Sequence, residues 1–298
     1  MKKFSLIFVL LAGVFWGSSP VFVSIIGELG FNSIECTAIR LLLAAPMLFV
    51  LLLIFDKKLP KISLKMLLCF ASSGICSVLA MCLSYYYAIK NTSAAVAAVL
   101  LYTAPIFVMI MSVIFFKEKI TAKKSLCLIL AVLGCALTSG IIGGIKGTAL
   151  GVFFGIMSGF TYSLYGIIST VALREGATPL SCTAFSFLFA SIGGLIISNP
   201  INIAVKTASL DAPFLAFLMM LLFSLCTAVI PYALYTLGLS GLKPDIAAIA
   251  ASSEPVVASL FGIFWLKQST DAFQIIGIAL VVITITVLNV NPKVKQSK

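Results

Sequence analysis

Histidine is absent from the chain. Without imidazole there is no Ser–His hydrolytic pair, no histidine proton shuttle and no ordinary transition-metal site. Acidic residues are nearly as scarce, nine against twenty lysines and arginines. An intramembrane aspartyl protease needs two buried aspartates, yet Asp56, Asp211, Asp245 and Asp271 all fall at the edges of apolar runs. The glycine-rich "GIIGGIKG" (Gly140–Gly147) lacks the G-x-x-x-x-G-K-[ST] spacing that cradles phosphates. The eight cysteines (Cys36, Cys69, Cys76, Cys82, Cys127, Cys135, Cys182, Cys226) lie inside apolar runs without a C-x-x-C pair. They read as small core residues, not disulfides or metal ligands. These absences argue against an enzyme and leave no cofactor or metal to expect.

Charged residues make up 10% of the chain, where soluble domains carry about 25%. Hydrophobic residues reach 61% and mean hydropathy is +1.20, so the sequence is that of an all-α integral membrane protein. The formal charge of +11 does not indicate nucleic acid, because the lysines fall between apolar runs and not along one face. The first run follows Lys2 and Lys3 as a signal peptide would, but it has no small-residue cleavage site and more spans follow, so it is read as mature structure.

A helix needs ~20 apolar residues to cross ~30 Å of hydrocarbon. Ten such runs occur: Phe4–Ile26, Ile34–Phe55, Met66–Ile89, Ala94–Phe116, Ser125–Ile142, Ala149–Leu173, Leu180–Ser198, Pro213–Leu239, Ile246–Leu266 and Ala272–Val290. Their short connections leave no room for a soluble catalytic domain. With the N-terminus inside, fifteen basic residues face the cytoplasm: Lys2, Lys3, Lys57, Lys58, Lys61, Lys65, Lys117, Lys119, Lys123, Lys124, Arg174, Lys243, Lys293, Lys295 and Lys298. Only Lys90, Lys146, Lys206 and Lys267 lie outside. This positive-inside bias, with an even number of spans, predicts cytoplasmic N- and C-termini in a multi-pass cell-membrane protein.

The two halves resemble each other. "TAIRLLLA" (Thr37–Ala44) matches "TAFSFLFA" (Thr183–Ala190), 146 residues on. "AAVLLYTAPIFVMIMSVIFFKEK" from Ala97 aligns without a gap to "AAIAASSEPVVASLFGIFWLKQS" from Ala247, so that Pro105 and Lys117 meet Pro255 and Lys267. Five spans per half is an odd number, so the second half enters the membrane from the opposite side. Two repeats, over residues 1–143 and 147–298, are expected as inverted five-helix units, an arrangement that points to a transporter with its substrate path at the midplane.

"VFWGSSPVF" (Val14–Phe22), "IRLLLAAP" (Ile39–Pro46), "APIFVMIMSVIFFKEK" (Ala104–Lys119) and "SSEPVVASLFGIFWLKQ" (Ser252–Gln268) resemble, in order and spacing, the EamA-type transporters of the drug/metabolite transporter superfamily. The resemblance implies a small organic solute, often exported, moved by alternating access. It also places the first span at the cavity. Gln268 departs from the motif, which commonly has glutamate there as at Glu118.

Glu254 and Pro255 stand side by side deep in an apolar run. Pro255 removes the helical partner of the Ala251 carbonyl and Pro105 that of Leu101. Because the proline recurs in both halves, it reads as architecture, a kink or hinge; Pro231 is placed with them. Glu254 aligns with Ala104, so the fold does not demand it. It lies about 12 Å along the helix from Ile246 and about 18 Å from Leu266, and inserting a charge there costs on the order of 3 kcal/mol. It must therefore face protein or water, either as a bonding partner for Ser252, Ser253 or a freed carbonyl, or as a substrate and proton-exchange group.

Arg40, opposite Ser186 in the repeat, reads first as snorkelling outward beside Glu35. The sharper alternative is that Arg40 and Glu254 hold the two ends of a zwitterion. Mid-span Trp16 is a cavity candidate, unlike the belt residue Trp265. Of Tyr85, Tyr86 and Tyr87 at least one belongs to the interfacial belt, with Tyr86 taken as the pathway candidate. Tyr102, Tyr162 and Tyr232, like Tyr165 and Tyr235, are either packed tyrosines or cavity residues. Gly147, Gly151, Gly155 and Gly159 form a small-residue ridge for close packing within the bundle or in a homodimer. The expected function is secondary transport of an amino acid or related metabolite, with proton coupling to be tested. Alternatives are export of cationic drugs, or a non-transporting receptor or scaffold.

Overall fold

The computed structural model describes residues 2–56, 62–139, 147–265 and 271–289, and every element among them is helical. The helices are α1 (Phe4–Glu28), α2 (Ser33–Phe55), α3 (Leu64–Asn91), α4 (Ala94–Phe116), α5 (Ala122–Thr138), α6 (Ala149–Arg174), α7 (Pro179–Ile197), α8 (Pro200–Ala208), α9 (Pro213–Leu239), α10 (Pro244–Phe264) and α11 (Ala272–Asn289). They start where the sequence supplies a side-chain oxygen for unpaired N–H groups: Asn32, Ser63, Ser93, Thr121, Thr148, Thr178 and Asn199 all accept from the following turn. Proline, whose missing N–H costs nothing in a first turn, opens α7, α8, α9 and α10.

Among the described residues, eight helices are long and apolar enough to cross a membrane: α1, α2, α3, α4, α6, α7, α9 and α10. At the other two expected places stand α5 and α11, apolar but only 17 and 18 residues long, about 26 Å at 1.5 Å per residue. These two run antiparallel in close contact. The Cys127 thiol lies on the Thr284 carbonyl, Lys123 Nζ donates to the Leu288 carbonyl, and a Cβ on Gly134 would meet Val281 at 2.7 Å. The expected run ends Ile142, Leu266 and Val290 lie outside the described residues, as do Lys57, Lys58, Lys61, Lys146, Lys267, Gln268, Lys293, Lys295 and Lys298. The amphipathic α8, unforeseen from the sequence, lies between α7 and α9.

The connections sort into two sets by contact. At one end Lys65 pairs with Glu175 at 2.5 Å, Thr178 bonds Asp56, Arg174 lies over the Phe116 ring at 4.2 Å, and Lys124 and Lys243 pair with Asp245 and Glu118. The beginning of α1 and the end of α11 belong to this set, which we call the terminal end. At the opposite end Lys206 pairs with Glu35 at 3.0 Å and bonds the Gly30 carbonyl, and the Thr148 N–H donates to the Asn91 carbonyl.

Helix α1 is interrupted at Ser18, and four further helices deviate from regular geometry at matching places. Wide π turns occupy Ser73–Leu79 in α3 and Leu225–Val229 in α9. Helices α4 and α10 each break, at Tyr102–Thr103 and at Ser252. The offset of 150 residues that carries Ala97 to Ala247 also carries Ile75–Leu79 to Leu225–Val229 and Tyr102 to Ser252. Two of the prolines therefore do more than bend a continuous helix. Pro105 and Pro255 each sit in the first turn of a helical segment that restarts after an interruption, while Pro231 directly follows the π turn within the continuous α9.

The glycine ridge of α6 is used inside the bundle. Added Cβ atoms at Gly151, Gly155 and Gly159 would fall 2.6 Å from Thr92, 2.4 Å from Leu100 and 2.7 Å from Thr103, so α4 and the end of α3 occupy that face.

Candidate functional site

Trp16 sits at the centre, only 6% exposed, with its ring against Tyr232 (5.1 Å), Tyr235 (5.4 Å) and Tyr162 (6.0 Å). Tyr165 and Phe187 complete the layer, each 4.9 Å from Tyr232. Mostly edge-on contacts of this kind pack aromatic quadrupoles favourably. The Tyr165 hydroxyl is satisfied as burial demands: it shares a hydrogen bond with Thr236 at 2.8 Å, and Thr236 donates to the Tyr232 carbonyl. Below this layer toward the terminal end, Val9, Ala12, Leu239, Ala247 and Ala250 are buried. A cavity of about 20 Å³, room for roughly one water, lies between Trp16, Pro105, Tyr162, Tyr165 and Tyr235.

Toward the opposite end a second group meets. Arg40 of α2, Tyr85 of α3, Tyr102 of α4, Tyr162 of α6 and Glu254 of α10 are each half-buried although they lie deep between helices. Surface remaining on inward-facing groups at that depth means that they line a crevice. The Tyr102 hydroxyl lies close to the Glu254 carboxyl, and the Arg40 guanidinium lies within electrostatic range of both Glu254 and Tyr232. Arg40 and Glu254 are nevertheless absent from the ion pairs formed among the described residues. Two opposite charges thus face one crevice without closing on each other.

Arg40 does not snorkel toward Glu35. Its Nη2 donates to Cys82 Sγ at 2.7 Å, across to α3, and its own carbonyl accepts from Ser224. Glu35 is taken by Lys206 and by the Asn32 N–H in a capping box. Of the serines beside Glu254, Ser253 Oγ has no hydrogen-bond partner among the described residues and Ser252 lies near Cys135 on α5.

Of the sequence candidates, the structure brings together Trp16, Arg40, Tyr102, Tyr162, Tyr232 and Glu254. It leaves out Tyr86, whose ring contacts Tyr87 at 5.6 Å; Tyr85 is the member of that triplet that faces Glu254. Sequence reasoning missed Cys82, for which a lone apolar-run cysteine gives no signal. It left Tyr165 and Tyr235 undecided, although each falls three residues after a candidate tyrosine, on the same helical face. Among the described residues there is no cluster of His, Cys, Asp and Glu able to hold a metal.

The EamA-like transporter family model matches the chain twice, over residues 3–140 and 149–290. An uncharacterized transporter of Archaeoglobus fulgidus is 29% identical over 204 residues, covering 66% of this chain and 68% of that one. An uncharacterized transporter of Clostridium kluyveri is 24% identical over 95% of this chain and 92% of its own length. The uncharacterized transporter YwfM of Bacillus subtilis is 24% identical over 72% and 70%. A solved structure described only as "Crystal structure of protein" superposes with a TM-score of 0.76 at 15% identity, over 97% of both chains, and shares the fold. With its helical bundle, mid-depth crevice and two family matches, the chain belongs to the EamA-like transporter family.

Proposed function

We propose that this transporter moves a small zwitterionic solute, an amino acid or a close relative, by alternating access through the crevice between Arg40 and Glu254. Ten crossings in two inverted five-helix repeats, with both termini in the cytoplasm of a cell-membrane protein, form the frame of this reading. The observation that carries it is the unpaired approach of Arg40 and Glu254, flanked by Tyr102, Tyr162 and Trp16. A solute carboxylate would take the guanidinium and an ammonium would take the carboxylate, each charge then being compensated at a depth where a lone charge is costly. The breaks and π turns at Pro105, Pro231 and Pro255 are the hinge candidates. Export follows from the family resemblance, and Glu254 is the group available to exchange a proton with the solute.

A cation-export reading is favoured by one specific feature, an acidic group among four aromatic rings. Stabilisation of the purified protein separates the two, since a ligand that binds the folded form raises its melting temperature. Amino acids raising it while lipophilic cations do not supports the zwitterion; the reverse supports the cation. No response to either class removes both and leaves the receptor or scaffold reading.

A further inference from the structure

We infer that Glu118, Lys124, Lys243 and Asp245 form a latch that holds the terminal end shut and biases the solute-free protein toward the state open at the opposite end. Lys124 pairs with Asp245, Lys243 pairs with Glu118, and Lys124 reaches Glu118 at 3.9 Å, so the four charges make one chain. Glu118 and Lys124 follow α4 in the first family match; Lys243 and Asp245 open α10 in the second. The network therefore ties one half of the molecule to the other across the closed end.

Its geometry is built in. Lys117 adopts the left-handed conformation at φ 54°, the single non-glycine residue described with positive φ, and this turn ends α4. The Glu118 N–H then returns to the Ser112 carbonyl, which fixes where the carboxylate stands. Asp245 is only 2% exposed and accepts from the Ile246 N–H in the first turn of its own helix. Screening by water is slight for its pair with Lys124, whereas Lys243 is 54% exposed, and losing a buried partner leaves a charge uncompensated.

The ungapped repeat alignment shows that the device exists at one end only. The counterparts of Glu118, Lys124, Lys243 and Asp245 are Gln268, Gln274, Ser93 and Ala95, all neutral. At the opposite end the described pair Lys206–Glu35 also joins the two halves, at positions that the repeat alignment does not match to the latch. The helical segment Pro244–Ala251 runs from Asp245 to the break that precedes Glu254, so about two helical turns link Glu254 to the latch. This inference rests on the fold and the ion pairs, and is independent of which solute is carried.

Hydrogen exchange of the full chain in lipid nanodiscs, read by mass spectrometry without any solute, tests it. Lys124→Gln and Glu118→Gln should each speed exchange by at least about tenfold, as expected when a buried pair loses a partner. The effect should extend beyond the latch to residues 5–16 of α1 and 230–239 of α9, which line the closed half. The swap Lys124→Asp with Asp245→Lys should return exchange toward wild type. Unchanged exchange in the single variants, a change confined to residues 117–124 and 243–246, or a swap no slower than the single variants would overturn the latch.

Discussion

Tyr102 lies close to Glu254 across two helix interruptions: Tyr102 stands in the break of α4 and Glu254 in the first turn after the break of α10. Neither repeat carries both groups, since their counterparts are Ser252 and Ala104. The repeated architecture supplies the two breaks, and the asymmetric residues supply the chemistry at the point where the breaks meet.

Glu254→Gln tests whether that carboxyl handles protons. Glutamine keeps an acceptor for Tyr102 but cannot take up or release a proton. Solute exchange should persist in proteoliposomes with weakened affinity, because the ammonium loses its carboxylate, while accumulation driven by an imposed pH gradient disappears. Undiminished gradient-driven accumulation assigns the coupling to another group.

Arg40→Gln should discriminate among solutes. A charge-assisted hydrogen bond contributes about 1.5–3 kcal/mol, so amino-acid affinity should fall by roughly ten- to a hundredfold. Amines lacking a carboxylate should bind as before. Equal weakening of both classes would mean that Arg40 orders the crevice and does not contact the solute.

Trp16→Ala removes the ring that three tyrosines contact. The void should cost about 3 kcal/mol, and Trp16→Phe distinctly less, measured as the midpoint of denaturant or thermal unfolding in detergent. An alanine variant as stable as wild type would contradict the packing described.

Gly74 and Gly27 form a matched pair. In the π turn of α3, a Cβ on Gly74 would fall 2.3 Å from the Ser186 carbonyl oxygen of α7, whereas one on Gly27 meets nothing within 4 Å. Gly74→Ala should therefore destabilise by about 1–3 kcal/mol through forced separation of α3 from α7. Gly27→Ala should be neutral or gain up to about 1 kcal/mol from helix propensity. Comparable melting temperatures for the two variants would refute the close approach.

The helices were legible because apolar length and capping residues are local properties. Glu254, Arg40 and Trp16 were legible as candidates because each violates the apolar pattern of its span. What could not be read depended on rotation and on distant partners. Three consecutive tyrosines point three ways, and only the π turn upstream decides that Tyr85 turns inward. Arg40 was expected to lean toward Glu35, but Lys206, 171 residues away in sequence, already neutralises that carboxylate. The prolines announced disturbed helices, yet full interruption at Tyr102–Thr103 and Ser252 depends on how the neighbouring helices pack. The lysines near positions 117–124 and 243 read as orientation signals, and their pairing with Glu118 and Asp245 emerges only when two distant connections meet.

The most direct test of the central claim is counterflow of labelled amino acids in proteoliposomes, comparing wild type with Arg40→Gln and Glu254→Gln at matched protein incorporation. The account predicts saturable counterflow by wild type that weakens sharply in both Arg40→Gln and Glu254→Gln, with the residual counterflow of Glu254→Gln no longer responding to an imposed pH gradient. Wild-type counterflow that both variants reproduce unchanged would contradict it.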